Sequence, residues 1–416
     1  MNIFIFQTGE PLHCDFPQKR PMRAMNLSNA FSEKNHKVTL ISTAFFHQEK
    51  IQRAFKVTKK KINNNLEIIL IPSPGYKKNV SLMRLYDHFV LALNLFKYLS
   101  TVKIKPDLIF IGFPPIESAA LIIWWASRRK IKTFLDVKDK WPDYFLTKFP
   151  NFLKPLLSIP LSPYFIFSKY AMNNTTTLLS MSDSFLNWAQ TFSKRKNKIS
   201  DFVLYLSPPE IKISNEEIIA NSNWWLKNVP DIKNKFVLSF IGSLSGAFDF
   251  SLIKELASKY EIYNKKVFFI ICGDGDEKDR INKLFENSKN VFLPGSVNTK
   301  QIYSLMQETN VTLAPYKNNS NFIDNLPNKI LDSLYYSKPI ITSLEGEVKN
   351  LILNYEVGCF CGNKSSSWFE SINKLIENKN YYKQLSKNAE EIYKKYFSYD
   401  MVYKKFVMRL ESEFKK

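Results

Sequence analysis

The stretch Asp324-Asn-Leu-Pro327-Asn-Lys-Ile-Leu-Asp332, which continues as Ser-Leu-Tyr-Tyr-Ser-Lys-Pro339-Ile-Ile-Thr342, is the most informative part of the chain. It predicts a loop that carries Asp324 and a helix that contains Asp332. Pro327 suits the first turn of that helix, because it lacks an N–H and its φ is already helical. Free N–H groups at a helix N terminus favour phosphate, and carboxylates accept hydrogen bonds from sugar and ribose hydroxyls. This combination suits a nucleotide sugar.

Size and composition indicate a folded chain of two domains. At 416 residues the chain is too long for one ordinary core, and its 45% hydrophobic and 15% aromatic residues exclude a disordered protein. The formal net charge of +21 is compatible with anionic lipid, nucleic acid or phosphorylated substrates as partners. A solvated surface rich in Lys and Asn explains the same charge without any partner.

The sequence contains no pattern for a metal site, a signal peptide or a membrane span. Cys359-x-Cys361 lacks the spacing of a zinc site, and the four histidines show no H-x-x-x-H spacing. We therefore expect no metal and no cofactor. The chain starts with a strand-like run rather than a leader sequence, and the apolar segments Leu108–Trp125 and Phe152–Phe167 are interrupted by prolines.

Short apolar runs alternate with helical patterns in both halves, which predicts an α/β protein with two doubly wound parallel sheets. Ligands are expected at the carboxyl ends of the strands. The predicted domains are residues 1–206 and 236–397, joined by a polar linker at 207–235, with a helix at 398–416 that packs back on the first domain. The predicted strands are 2–6, 37–42, 67–72, 107–111, 131–136, 176–180, 202–206, 236–241, 266–272, 290–293, 311–315 and 339–342.

The chain has two similar halves, and the second contains the stretch at residues 324–342. This combination resembles the GT-B glycosyltransferases and, within them, the retaining enzymes of family 4. Their E-x7-E element corresponds to Asp324-x7-Asp332, with both glutamates shortened to aspartate. The continuation from Tyr335 to Ile341 resembles A-x-G-K-P-I-I, with Ser337 where glycine is usual. The resemblance implies two Rossmann-like domains that face a central cleft, with the acceptor on the first domain and the donor on the second.

Other stretches match this family in order, so the resemblance covers nearly the whole chain. Lys138-Asp-Lys-Trp-Pro-Asp143 resembles the R-D-L-W-P-E variant found in enzymes of bacterial surface-polysaccharide pathways. The remaining matches are Arg20–Val38, Phe240–Ser245, Phe268–Gly275, Asn290–Gly295 and Val311–Tyr316.

For the donor, the resemblance implies that Asp332 binds the ribose and that Asp324 lies near the transferred sugar as a catalytic residue. Without this context, Asp332 would be interpreted as a polar helix residue, and Asp324 as an ordinary loop or capping acid. Many relatives carry an arginine and a lysine just after the strand that ends at Gly242, but this chain has no cation there before Lys254. The predicted donor-binding set is Asp332, Lys329, Asn325, Leu326, Gly242, Ser243, Gly273, Arg23, Gly9 and Glu10, with Lys329 and then Arg23 as substitutes for the missing cations.

Lys138 and Asp139 are predicted as catalytic residues of the first domain. They follow the strand predicted at 131–136, and relatives carry Arg-Asp or His-Asp at the end of that strand. A positioned carboxylate there would bind the acceptor or act as a base. The alternative for Asp139 is an N-cap of the following helix, and the alternative for Lys329 is a solvated lysine. Gly9 and Glu10 lie in the loop after the first strand.

The resulting hypothesis is a metal-independent, retaining hexosyl- or hexosaminyltransferase. It would use a nucleotide-diphosphate sugar and a lipid-linked saccharide acceptor in lipopolysaccharide O-antigen or capsule synthesis. We expect a cytoplasmic enzyme, peripheral on the inner face of the bacterial membrane. The segment Val80–Val102 has apolar residues at helical spacing, which we interpret as a core-facing helix, with an amphipathic face on anionic lipid as the alternative.

Two other functional classes stay open from the sequence. A nucleotide-sugar epimerase of similar build would turn over the donor without an acceptor. A basic module that binds nucleic acid or a membrane is the third reading. Because the basic residues are dispersed and no RNP, KH, zinc-finger or helix-turn-helix pattern is present, we expect no nucleic acid partner.

Overall fold

The computed structural model describes residues 1–15, 20–79, 81–146, 149–150, 152, 156, 159–196, 199–210, 213–264 and 266–415. The chain divides into two compact units. The first consists of Met1–Pro209 and Tyr399–Lys416, and the second of Glu210–Ser398. Each unit has a mainly parallel sheet with helices, which confirms the predicted α/β class.

The first unit contains ten described strands and, before the second unit begins, six described helices. The strands are β1 (Asn2–Phe6), β2 (Lys37–Thr43), β3 (Phe45–Phe46), β4 (Ile51–Gln52), β5 (Thr58–Lys61), β6 (Leu66–Ile71), β7 (Leu108–Phe113), β8 (Lys132–Val137), β9 (Thr177–Ser180) and β10 (Phe202–Val203). The helices are α1 (Arg23–Glu33), α2 (Leu82–Thr101), α3 (Ile116–Ser127), α4 (Asp143–Leu146), α5 (Ser162–Asn174) and α6 (Asp183–Ser193).

The main sheet of the first unit has the order β10-β9-β8-β7-β1-β2-β6-β5, and its strand pairs are parallel except for β5 with β6. Its strands are apolar on both faces because each face is covered by a separate hydrophobic cluster. In β1, Ile3 and Ile5 join the cluster with α1, whereas Phe4 and Phe6 join the cluster with α2 and α3. Because these strands are parallel, their carboxyl ends lie at the same edge of the sheet.

The chain returns to the first unit after Ser398. A π-helical turn (Asp400–Lys404) leads into the final described helix (Lys405–Lys415), which lies on the α1 side of the sheet. Phe406 contacts the rings of Phe31, Phe110, Phe134 and Phe202 at centroid distances of 6.0–6.4 Å. These aromatic contacts make the last residues of the chain part of the first core.

The second unit has one sheet of six described strands, all parallel, in the order β13-β12-β11-β14-β15-β16. The strands are β11 (Phe236–Ile241), β12 (Val267–Cys272), β13 (Val291–Gly295), β14 (Thr309–Ala314), β15 (Ile340–Thr342) and β16 (Gly358–Phe360). Its helices are α7 (Asn215–Asn228), α8 (Phe250–Tyr263), α9 (Lys278–Phe285), α10 (Thr299–Glu308), α11 (Ser320–Ile323), α12 (Asn328–Tyr335), α13 (Glu347–Tyr355), α14 (Ser365–Glu377) and α15 (Lys379–Ile392).

The segment predicted as a linker, 207–235, differs from that expectation because it contains α7. Ser214 and Glu217 form a capping box at the start of this helix. Trp225 is completely buried and donates a hydrogen bond from Nε1 to Gln301 O at 2.9 Å. Trp224 and Leu226 pack partly buried against the hydrophobic cluster that contains Trp225, so α7 belongs to the second unit.

Helix α2 buries a different face from the one predicted. Its core face comprises Asp87, His88, Leu91, Leu95 and Leu99. Two polar residues at the start of this face hid it in the sequence. Most of the apolar stripe that was expected to face the core is exposed, and its exposed members are Leu82, Phe89, Leu93 and Phe96.

Candidate functional site

In the second unit, β11 and β12 are each followed by a turn that requires glycine, at Gly242 and Gly273, and the two turns lie against each other. Gly242 N donates to Cys272 O at 3.0 Å, and Gly273 N donates to Gly295 O at 2.8 Å. A Cβ on Gly273 would lie 1.8 Å from Gly242 O, and its φ of +155° also disfavours a side chain. The two backbones can approach this closely only without a side chain, and Ser243 beside them is exposed.

Helix α12 begins at the same sheet edge, one residue later than predicted. Pro327 is its N-cap, with extended φ and ψ, and no side chain caps the N terminus. Asp324 lies in the preceding turn and half-buried Asp332 lies within the helix, as the sequence predicted. Asn325 Oδ1 is buried and has no hydrogen-bond partner among the described residues. The uncapped helix start is suited to an anion, and the unpaired Asn325 oxygen is suited to a ligand hydroxyl that can donate to it.

Lys329 is held beneath the Gly242 turn instead of extending into solvent. Its Nζ donates to Ile241 O at 2.6 Å and lies 3.4 Å from the ring centroid of Phe240. Burial lowers its pKa to about 7, and the charge of Asp332 opposes that shift. A solvated lysine, the alternative from the sequence, is therefore wrong. A role in binding diphosphate stays a prediction, and it would require the ammonium to leave this position.

Replacement of Lys329 by methionine is expected to change how stability depends on pH. The unfolded lysine keeps its proton up to about pH 10.5, whereas the folded one loses it near pH 7. Between these values the unfolded state binds more protons, so the wild-type protein gains stability as pH rises. Relative to Lys329→Met, the gain is up to about 1.4 kcal/mol per pH unit, measured by urea unfolding at a series of pH values.

The matched control is Lys283→Met, which removes an exposed lysine of α9. The difference between this variant and the wild type should stay constant with pH, because its ammonium is in water. If the unfolding free energies of Lys329→Met and Lys283→Met change with pH in the same way from pH 7 to pH 10, the lowered pKa of Lys329 is disproved.

In the first unit, the carboxyl ends of the parallel strands surround a pocket of about 260 Å³. Gly9, Glu10, Lys138 and Asp139, predicted from widely separated motifs, all line it. The structure thus brings these four site residues together. The other lining residues are Gln7, Thr8, Met22, Thr43, Phe45, His47, Tyr76, Arg84, Asp87, His88, Leu91, Phe113, Pro114 and Pro115.

The ammonium of Lys138 is fixed by groups from two strand ends, the loop after β1 and the end of β8. Lys138 Nζ lies 2.5 Å from Glu10 Oε1, donates to Gln7 Oε1 at 2.9 Å and lies 3.6 Å from Asp136 Oδ2. Glu10 Oε2 also accepts a hydrogen bond from Ala24 N in the first turn of α1. Glu10 and Lys138 therefore form a rigid pair that positions the loop beside Asp139. Helix α4 starts only at Asp143, so Asp139 is not its N-cap.

Arg23, predicted to reach the diphosphate, is completely buried within the first unit. Its Nε lies 2.9 Å from Asp136 Oδ2, and its terminal nitrogens donate to Leu204 O at 2.6 Å and Tyr205 O at 3.2 Å. A guanidinium with these partners has no route to a ligand without unfolding its surroundings. The predicted role in donor binding is therefore wrong, and Arg23 instead holds β8 to the segment after β10.

Comparison with known proteins gives a consistent result for fold. Residues 224–392 match the family model described as Glycosyl transferases group 1. HepE from Anabaena, solved in complex with UDP and glucose, superposes with a TM-score of 0.66 at 14% identity. The superposition covers 99% of this chain and 100% of the HepE chain. The fold is GT-B.

Two further GT-B structures superpose over almost their whole lengths. Sucrose-phosphate synthase from Thermosynechococcus elongatus has a TM-score of 0.68 at 12% identity and covers 100% of this chain and 99% of its own. WaaG, a glycosyltransferase involved in lipopolysaccharide biosynthesis, has a TM-score of 0.64 at 14% identity and covers 96% of this chain and 97% of its own. No curated protein matches the chain significantly by sequence.

Several residues that line the pocket of this GT-B protein were missed by the sequence interpretation. The sequence interpretation assigns no site role to His47 or His88, but both line the pocket together with Tyr76, Arg84 and Asp87. Tyr76 follows the parallel strand β6, so the rule that ligands bind at the carboxyl ends of parallel strands was the available signal for it. His47 follows β3, which pairs antiparallel with β4, so that rule gives no signal for His47. In the second unit, Phe240 and Phe248, which enclose the Lys329 ammonium, were also missed.

Proposed function

We propose that the protein is a metal-independent, retaining glycosyltransferase of family 4. It transfers a hexose or hexosamine from a nucleotide-diphosphate sugar to a lipid-linked saccharide in O-antigen or capsule synthesis. In this reaction an acceptor hydroxyl replaces the nucleoside diphosphate at the anomeric carbon, and a base takes up the hydroxyl proton. The observation that carries the proposal is the group 1 family match, because residues 224–392 include the glycine turns, Lys329 and both aspartates.

The polar groups at the edge of the second sheet support donor binding. Asp332 would accept hydrogen bonds from the ribose hydroxyls, each worth about 1.5–3 kcal/mol with a charged acceptor. The unpaired Asn325 Oδ1 offers a further acceptor to a donor hydroxyl, with Asp324 beside it and the backbone at Leu326 nearby. The uncapped start of α12 would stabilise the charge on the leaving diphosphate.

The pocket of the first unit supports the acceptor side of the proposal. Asp139 lines it beside the fixed Lys138, where a carboxylate would accept the proton of an acceptor hydroxyl or orient that hydroxyl. Lys138 would hold Asp139 and Glu10 in place through its charge. Gly9 gives the loop its left-handed turn, with a φ of +75°.

The exposed stripe of α2 supports peripheral contact with an anionic bilayer on the inner face of the cytoplasmic membrane. Leu82, Phe89, Leu93 and Phe96 are 42–83% exposed at helical spacing, and α2 contains no acid besides buried Asp87. Helix α5 adds exposed Ile166 and Phe167 and contains no acid. Within the described residues, none of the helices is both long and apolar enough to cross a membrane.

The donor is tested with the purified full-length protein and a panel of nucleotide sugars. We expect one donor to raise the melting temperature, because binding at 100 times Kd stabilises by about 2.7 kcal/mol, and transfer to continue in a chelator. Asp332→Ala should abolish the shift, whereas Asp279→Ala, an exposed acid of α9, should keep it. Absence of any shift, together with unchanged cellular glycans in Asp332→Ala, would refute the transferase. Donor turnover that needs no acceptor and releases a soluble epimer of the sugar would identify an epimerase.

Membrane contact is tested by flotation with vesicles of phosphatidylcholine and phosphatidylglycerol. Replacement of both Phe89 and Leu93 by serine should weaken binding at least about tenfold, because each side chain contributes about 1.5–3 kcal/mol when buried in lipid. The control is Ile262→Ser, which removes an apolar side chain that is 89% exposed in the second unit. Equal flotation of both variants would argue against this surface.

A further inference from the structure

We propose that the pocket of the first unit recognises an anionic group, a phosphate or a carboxylate, on the acceptor. The inference rests on the proposed function, because it assigns the chemical class of the acceptor at the same pocket. Two sources carry this chemistry. One is the diphosphate that joins a saccharide to its lipid, and the other is an acidic substituent on the acceptor sugar.

The first observation is a guanidinium in the pocket that is held in position but has spare donors. Arg84 lies over the rings of Tyr76 and Trp141, at 5.5 and 4.9 Å from their centroids, and donates from one terminal nitrogen to Asn79 O at 2.9 Å. Its Nε is buried and has no hydrogen-bond partner among the described residues. The two rings fix the guanidinium plane, and a planar guanidinium is suited to bidentate binding of an oxyanion.

The second observation concerns the tautomer of His47. Its Nδ1 lies 2.6 Å from Tyr76 Oη and 3.2 Å from Lys50 Nζ. An ammonium can only donate, so Nδ1 must be the unprotonated nitrogen that accepts. The ring proton of neutral His47 is therefore on Nε2, which makes this pocket-lining side chain a second donor for a ligand.

The third observation is that two cations, Lys50 and Arg84, lie close to each other and to the two histidines of this pocket. Burial, together with the charges of Lys50 and Arg84, lowers the pKa of His47 to about 4. Burial lowers the pKa of His88 to about 3, again with Arg84 contributing. Burial and Arg84 also lower the pKa of Lys50. A bound anion would relieve this repulsion.

Three carboxylates lie near this space, and none of them forms an ion pair with Arg84. Glu10 is paired with Lys138, and Asp87 Oδ1 accepts a hydrogen bond from Gly75 N at 2.6 Å. Both oxygens of Glu117 lack a hydrogen-bond partner among the described residues, and burial raises the pKa of Glu117 to about 7 although the charge of Arg84 opposes that shift. Burial likewise raises the pKa of Asp87 against the charge of Arg84, so these two acids are held towards their neutral forms and do not fully neutralise the guanidinium. Asp139 lines the same pocket, two residues before the Trp141 ring that Arg84 contacts.

The test measures binding of small anions to the full-length protein without a donor. The probes are inorganic pyrophosphate, inorganic phosphate and glucuronate, with methyl glucoside as the neutral probe. Because the chain has only four histidines, side-chain NMR can follow His47 directly. We expect an anion to raise the His47 pKa and Arg84→Gln to weaken anion binding about tenfold or more, since it removes a charged hydrogen-bond donor. The matched control is Arg128→Gln, an exposed arginine of the same unit that lies over Trp124.

Each outcome decides the matter. Preference for pyrophosphate assigns the diphosphate of the lipid carrier, and preference for glucuronate assigns an acidic sugar. Anion binding that is absent, or that Arg84→Gln and Arg128→Gln affect equally, overturns the proposal. If Arg84→Gln does not fold, Tyr76→Phe removes the hydroxyl that holds His47 and should still weaken the His47 response. Failure here leaves donor binding at the second unit intact, so it is distinct from failure of the proposed transferase.

Discussion

Replacement of Gly273 by alanine is expected to abolish donor binding and destabilise the second unit. The new Cβ would lie 1.8 Å from Gly242 O, a backbone atom, and φ at +155° adds strain. The turn must shift, and we expect a loss of roughly 3 kcal/mol in unfolding free energy. A displacement of about 1 Å in a positioning element costs about 100-fold, so donor affinity should fall at least that far. Urea unfolding and calorimetric titration of the donor measure the two effects.

Gly246→Ala is the matched control for this prediction. Its Cβ would meet no atom within 4 Å, and its φ is not positive. It should unfold within about 0.5 kcal/mol of the wild type and keep its donor affinity. If Gly273→Ala behaves like Gly246→Ala, the close approach of the two turns does not determine the donor site.

Replacement of Asp139 by asparagine is expected to lower kcat about 100- to 10,000-fold and to leave KM for the donor nearly unchanged. The amide keeps the shape of the side chain but cannot take up a proton, and general bases contribute in this range. Asp139 lines the pocket of the first unit, whereas Asp332 and its neighbours, the predicted donor residues, belong to the second unit. Initial rates at saturating donor and acceptor give kcat, and a donor series gives KM.

Asp183→Asn, an exposed acid at the start of α6, is the matched control and should keep wild-type kinetics. A fall in kcat below threefold for Asp139→Asn would exclude this carboxylate as the base. A parallel rise in KM for the acceptor with constant kcat would instead assign Asp139 to acceptor binding.

The alternation of apolar strands and helices predicted the fold because parallel strands buried on both faces leave a clear pattern of continuous apolar runs. The strands that were missed lack that pattern. Thr58–Lys61 is a charged, antiparallel edge strand, and Gly358–Phe360 is only three residues long. Helix α7 was missed because its docking depends on buried Trp225 and its two neighbours rather than on a periodic apolar face, although its capping box was present in the sequence.

The candidate sites were predictable where a residue follows a strand directly. Gly9, Glu10, Lys138 and Asp139 meet in one pocket because parallel strands end at the same edge. Contacts made through tertiary packing were not predictable. Nothing in the sequence indicates that Arg23 is sealed against Asp136, or that Arg84 lies between two aromatic rings.

The return of the chain to its first core has a consequence for synthesis. Phe406 packs among four aromatic rings of a unit whose other residues are made almost 200 residues earlier. On the ribosome, the second unit can therefore complete its core while the first still lacks one layer. The unit that begins the chain is the last to be finished. A stop codon near residue 398 would therefore leave the first unit, rather than the complete second unit, open to proteolysis.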